Sequence, residues 1–185
     1  MACRLCPWWM GYVLLSPFRR RRHDPDAILG PLVLEGMTVL EPGPGMGFFT
    51  LPLARRVGPT GKVVAVDIQP KMLAALRRRA RWHGLAGRVD PRLADGSDMG
   101  IVDLTGQVDF VLAFHVVHEV PDQGRFFAQV HAALKPGGRI LVAEPEHHVT
   151  SQHFADSLAA AKEAGFHMEP GPDIATSRTA LMSRP

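Results

Sequence analysis

One turn constrains this chain more than anything else in it. Val39-Leu40-Glu41 reads as the end of a buried strand and runs into Pro42-Gly43-Pro44-Gly45-Met46-Gly47, with Phe48-Phe49-Thr50 opening a helix. Glycine permits the backbone angles of a tight turn and removes side chains that would block a ligand. Strand, glycine turn and helix together are the opening unit of an α/β nucleotide-binding sheet. A dinucleotide fingerprint would place its third glycine at residue 48, but Phe48 stands there and the glycine comes one place earlier. A pyrophosphate needs the helix N-terminus close by, whereas a ligand without phosphates does not.

The rest of the chain fits such a sheet. Strands are expected at Met37–Glu41, Lys62–Asp67, Val89–Leu93, Val108–Phe114 and Arg139–Glu144, with short ones near His167 and at Arg178–Ser183. Helices are expected at Phe48–Arg56, Pro70–His83, Asp122–Leu134 and Ser151–Ala164. Asp122 suits a helix cap, Lys135-Pro-Gly-Gly138 punctuates the chain, and Gly165 follows the last helix. The alternation predicts an α/β fold, a parallel doubly wound sheet with helices on both faces. Ligands of such sheets bind beyond the carboxyl ends of the strands, here just after residues 41, 67, 93, 114 and 144.

Length and charge remove several classes. The 185 residues favour one domain, without repeats or low-complexity tracts. A formal charge of +3 is too small to argue for nucleic acid, and the arginines at 19–22 and 77–81 read as solvated faces. The two cysteines, Cys3 and Cys6, make no disulfide scaffold, and a lone C-x-x-C is weak evidence for zinc, so no metal is expected. Pro7–Phe18 is apolar but too short to span a bilayer and lacks a secretory cleavage pattern. Followed by Arg19–Arg22 it admits a second reading as an interfacial anchor. The default is a reduced, cytoplasmic protein.

Asp67 ends the second strand about 20 residues after the glycines, where a carboxylate accepts from a ribose diol; its bland alternative is capping the next helix. Asp95-Gly96 follows the third strand, placed for an adenine amino group or for an ordinary Asp-Gly turn. Taken with Phe114 and Leu134-Lys-Pro-Gly-Gly138, these residues resemble the class I S-adenosylmethionine (SAM)-dependent methyltransferases over residues 25–185. The small ubiquinone/menaquinone-biosynthesis-like group is the most similar in flavour. The resemblance implies a Rossmann-like, seven-stranded sheet whose last strand is antiparallel. It implies SAM as cofactor and S-adenosylhomocysteine as product, held by Glu41, Gly43, Gly45, Gly47, Asp67, Ile68, Asp95, Gly96 and Phe114. Residues 1–35 would form an amino-terminal flap over a SAM-binding core at 36–185.

Methyl transfer asks chiefly for alignment and exclusion of water, and for a base only when the acceptor carries a proton. His115, His118 and Glu119 stand where such a base would sit, although packing or capping beneath the cofactor is the plainer role for His118 and Glu119. Glu144, Glu146, His147 and His148 follow the fifth strand and are expected to face the same crevice, while Trp8, Trp9 and Tyr12 are candidate pocket walls or flap core. No N/D-P-P-Y or Pro-Cys follows the fourth strand, against DNA-base chemistry, and no carboxylate ends it, against a catechol-type magnesium site. A small or medium acceptor, apolar or aromatic, is the expected partner. The rivals are a non-catalytic SAM-binding module, a nicotinamide oxidoreductase, and methylation of a thiophilic acceptor such as arsenite at Cys3 and Cys6.

Overall fold

A computed structural model of the chain describes residues 7–13, 15–96 and 98–185. Seven strands form one sheet: β1 (Thr38–Pro42), β2 (Lys62–Asp67), β3 (Val89–Leu93), β4 (Val108–Phe114), β5 (Leu134–Pro145), β6 (His167–Glu169) and β7 (Ser177–Ser183). Their order is β3-β2-β1-β4-β5-β7-β6. The pairs from β3 through to β5 are parallel, and β7 runs antiparallel to both its neighbours. This is the Rossmann-like arrangement that the resemblance implies, antiparallel last strand included.

Side chains on a strand alternate between faces, so a strand buried on both sides must be apolar at every position. Val39, Val63, Ala65, Phe110, Leu112 and Leu141 enter one core with α3 (Pro25–Leu29), α4 (Thr50–Arg56) and α5 (Pro70–Trp82). Their neighbours Leu40, Val64, Val66, Val111, Ile140 and Val142 enter a second core with α6 (Gln123–Ala133) and α7 (Ser151–Glu163). The side-chain oxygens of Asp122 and Thr150 cap α6 and α7, accepting from the amides of Arg125 at 2.9 Å and His153 at 3.1 Å. Removing such a cap costs about 1 kcal/mol.

The structure differs from the sequence expectation in three places. β5 begins at Leu134, because Val108 pairs with Leu134 and Phe110 already pairs with Arg139. Lys135-Pro-Gly-Gly138 is thus extruded within the strand rather than ahead of it. α4 starts two residues late, so the glycine turn runs on through Phe48 and Phe49. Two short helices, α1 (Met10–Val13) and α2 (Pro17–Arg22), precede α3 in a segment for which the sequence indicated no helix.

Candidate active site

Strand order reverses between β1 and β4, and a cavity opens there beyond the carboxyl ends of the strands. Four of the five expected loops contribute to it: Glu41–Met46 at the end of β1, Asp67–Gln69 after β2, Ala94 and Gly96 after β3, and Phe114–Val116 after β4, whereas the loop after residue 144 does not. Gly11, Leu15 and Arg19 reach it from the amino-terminal segment.

The glycine turn is needed for two distinct reasons. Gly43, Gly45 and Gly47 have φ of +66°, +53° and +87°, a region side chains rarely adopt. A Cβ on Gly43 would lie 2.6 Å from Val116, and one on Gly47 would lie 2.5 Å from Leu76. Those two glycines let the turn press on its own neighbours. A Cβ on Gly45 meets nothing within 4 Å. Gly45 lines the cavity, so its missing side chain leaves room for a ligand.

Two carboxylates stand at this turn. Glu41 is buried, and its Oε2 has no hydrogen-bond partner among the described residues. Burial pushes its pKa up to about 8, while the Thr50 hydroxyl and the Arg19 guanidinium pull less strongly the other way. An unsatisfied buried carboxyl oxygen in a cavity wall calls for a donor from outside the chain. Asp67 is also buried, and burial raises it to about 6 against the pull of neighbouring backbone amides. Its Oδ1 accepts from the Gln69 amide at 2.8 Å at the head of α5. That bond goes to the N-cap residue Gln69 itself and no side chain caps α5, so Asp67 shapes the turn ahead of the helix instead of capping it, and the amides of Gly45 and Ile68 also bond its carboxyl.

The β4 end is aromatic. The rings of Phe49 and Phe114 lie 4.4 Å apart, as do those of Phe114 and His115, and the Arg19 guanidinium sits 4.4 Å from the centre of Phe48. Arginine over an aromatic face is favourable, more so when partly desolvated. His115 adopts φ of +58°, a strained angle for a residue with a side chain. Its amide donates to the Ala143 carbonyl at 2.7 Å, and its Nε2 lies 3.0 Å from the Ser177 hydroxyl. Burial, helped by Arg19 and nearby histidines, drives its pKa down to about 3, so the ring is neutral. His23, edge-on to Phe114 and His115, is buried as well, with Nε2 3.1 Å from the Ala175 carbonyl.

Behind this loop Glu144 acts as a clamp. It is 1% exposed and accepts from the amides of Val116 at 3.1 Å and Val117 at 2.9 Å. Its other oxygen pairs with His118 Nδ1. Burial works against charge on His118, but the Glu144 carboxylate outweighs it and the pKa rises.

Of the sequence candidates, Glu41, Gly43, Gly45, Asp67, Ile68, Gly96, Phe114, His115 and Glu119 line the cavity. Gly47, Asp95 and His118 do not. Gly47 supports the turn from behind, and Asp95 is exposed in a small turn paired through its backbone with Asp98. Glu144 lies under the loop rather than in the wall, and Glu146, His147 and His148 are exposed. Trp8, Trp9 and Tyr12 lie outside the lining; Gly11 and Leu15 supply it instead. Cys3 and Cys6 fall outside the described residues. Among the described residues no group of three or more His, Cys, Asp or Glu is placed to hold a metal. Sequence reasoning missed Arg19, Met46, Met72, Met99 and Phe126 as lining, and His23 and Ser177 as partners of the β4 loop. Only Arg19 carried a signal, and it was read as part of a solvated run.

A sheet of this order with an acid-glycine turn and a ribose-type acid at its switch point defines a nucleoside-binding α/β protein. Comparison with known proteins sharpens that class. The methyltransferase domain family matches residues 34–175. Ubiquinone/menaquinone biosynthesis C-methyltransferase UbiE of Escherichia coli is 34% identical over 139 residues, 75% of this chain and 53% of its own length. The chain thus spans about half the length of the curated relatives it matches. A SAM-dependent methyltransferase of Aquifex aeolicus superposes with a TM-score of 0.85 at 23% identity, covering 97% of this chain and 98% of that one. The [4+2]-cyclase SpnF shares the fold at a TM-score of 0.69 and 21% identity, over 84% of this chain and 61% of its own. The chain belongs to the class I SAM-dependent methyltransferases.

Proposed function

We propose that this chain transfers the methyl group of SAM to a small or medium acceptor with an apolar or aromatic body. The observation that carries the acceptor class is the Phe48, Phe49 and Phe114 cluster at the β4 end, beside a neutral His115. Fold alone does not select the reaction, as the cyclase of the same fold illustrates.

The cofactor fits the residues present. Glu41 Oε2 lacks a donor, and Gly45 leaves open space. In this reading Glu41 and Arg19 hold the charged methionine end, Gly43 and Gly45 give the ligand room, and Asp67 holds the ribose hydroxyls. Ile68 flanks adenine beside the lining residues Ala94 and Gly96, while Asp95 stands outside the lining. When bound, SAM supplies a methyl group already made electrophilic by the sulfonium. The protein's work is then alignment and exclusion of water. Phe114 and His115 hold the acceptor against the cofactor side, and the amino-terminal segment closes over both as a flap.

The three polar candidates of the β4 loop take different parts. His115, held near pKa 3, is a poor base at neutral pH and serves as a neutral hydrogen-bond partner. His118 and Glu144 brace the loop, and Glu119 is the cavity-lining carboxylate able to accept a proton. The test is calorimetric titration of cofactor-stripped protein with SAM, S-adenosylhomocysteine and NAD, followed by an acceptor screen with methyl-labelled SAM. Binding of the first two without NAD, and label moving into apolar or aromatic acceptors, is expected. Binding without transfer across such a screen would favour a SAM-binding module.

A further inference from the structure

The surface around α1 and α2 combines features that the cavity does not use. Gly11 packs inward, its Cα region pressed against Met46 and Met72. The rest of this short helix and its flanks therefore turn outward: Trp9 is 56% exposed, Tyr12 53%, Val13 58% and, at the start of α2, Phe18 72%. Large apolar side chains grouped this way mark a docking surface. The patch is bordered by positive charge. Arg20, Arg21 and Arg22 on α2 and Lys71, Arg77, Arg78 and Arg81 on α5 are all exposed. Contacts stitch the two sets together. Lys71 Nζ lies 4.7 Å from the Trp8 ring, Arg78 bonds the Tyr12 hydroxyl at 3.5 Å, and Arg21 lies 5.8 Å from the Phe18 ring. Trp82, 87% exposed, follows Arg78 by one helical turn on α5 and extends the same strip.

Neither 7–23 nor 70–83 contains an acidic residue. Arg20 is offset by Asp26 at 2.8 Å, but no ion pair to Arg21, Arg22, Lys71 or Arg78 is present among the described residues. We propose that this face docks onto the surface of an anionic lipid bilayer, with Trp9, Tyr12, Val13 and Phe18 entering the headgroup region and the arginines engaging the lipid phosphates and carboxylates. Tryptophan and tyrosine favour that interface, and basic residues beside them add electrostatic attraction. Nucleic acid suits the surface less well. Along the chain the apolar block 8–18 precedes the basic block 19–22, and the aliphatic Val13 offers no face for a base to stack on. The docked face adjoins Gly11, Leu15 and Arg19 in the cavity wall, so a membrane-dissolved acceptor would reach the site without crossing water.

The three tryptophans of the chain are Trp8, Trp9 and Trp82, so intrinsic tryptophan fluorescence reports on this face alone. The full chain is titrated with phosphatidylcholine vesicles with and without phosphatidylserine, and binding is confirmed by flotation. A blue shift and flotation only with phosphatidylserine are expected, weakening as salt rises. Arg21→Gln with Arg22→Gln should weaken binding about 25-fold, at roughly fivefold for each basic residue removed. Trp9→Ala with Phe18→Ala should abolish flotation while leaving the melting temperature and SAM affinity unchanged. The proposal is overturned by equal binding to both vesicle types, by no binding to either, or by variants that bind like the parent. It is also overturned if a single-stranded oligonucleotide binds more tightly than the anionic vesicles. Every readout is independent of methyl transfer, so failure here leaves the methyltransferase reading untouched.

Discussion

Glu41→Gln should stabilise the cofactor-free protein at high pH and cripple its use of SAM. The buried Glu41 carboxyl titrates near 8, against an ordinary value of 4.5. Between those values the folded protein holds a proton that the unfolded chain has lost, so folding stability falls as pH rises. The stabilising contribution is complete below pH 4.5 and gone once the pH passes the folded value near 8. At 1.36 kcal/mol per unit this is on the order of 5 kcal/mol. Glutamine cannot ionise. The variant should match the parent most nearly in urea unfolding at pH 4 and exceed it by several kcal/mol at pH 8.5. Asp67, raised to about 6, adds a weaker slope of the same sign, and because its charge also raises Glu41 the two titrations are coupled, so the comparison reads the pair.

The same proton appears in binding. At pH 7 a group with a pKa near 8 carries about 0.9 proton. Pairing with a ligand ammonium requires the carboxylate, so SAM should release that proton. Calorimetry at pH 7 in buffers of different ionisation enthalpy measures it, and the parent-minus-variant difference removes any proton the ligand itself exchanges. Parallel stability curves for parent and Glu41→Gln, or equal proton release by both, would refute the assignment of Glu41 as the unsatisfied acid awaiting the cofactor.

Other variants separate the parts of the site. Asp67→Ala should lower SAM affinity about 100-fold or more, since hydrogen bonds to a charged group are worth about 1.5–3 kcal/mol each, and calorimetry reads it directly. Gly45→Ala and Gly47→Ala both strain a positive φ. Only Gly47→Ala also drives a Cβ against the core residue Leu76, so it should lose more stability in urea unfolding, while Gly45→Ala remains folded and fails to bind SAM. Glu144→Gln should lower the His118 pKa in NMR titration and cost about 2–4 kcal/mol, because a buried acceptor of several amides is weakened. The raised His118 pKa adds stability at low pH that disappears as pH climbs through the folded value, and Glu144→Gln should remove that slope.

The parts of this protein differ in how openly the sequence displays them, and the difference is physical. β2, β3 and β4 match their expected spans; β2 and β4 declare themselves as short apolar runs buried on both faces, whereas β3 is a part-exposed edge strand, Val-Asp-Pro-Arg-Leu. The start of β5 was hidden because Lys-Pro-Gly-Gly normally ends an element; only the pairing of Leu134 with Val108 shows the chain already back in the sheet. α1 and α2 have four and six residues, too few for helical periodicity to register. In the site, the glycine turn was legible because backbone geometry demands glycine at φ of +53° to +87°, and the acids Glu41 and Asp67 stand beside it in the cavity wall. The acceptor end was not. His115 is fixed by Ser177, 62 residues away, and His23 by Ala175, 152 residues away. Arg19 looks like any member of a basic run until α2 docks it over Phe48. Local rules encode the glycine turn, whereas contacts between distant segments shape the aromatic end of the cavity. Variants aimed at the acceptor therefore belong where the amino-terminal segment meets the β4 and β7 ends, because those contacts shape the aromatic end of the cavity.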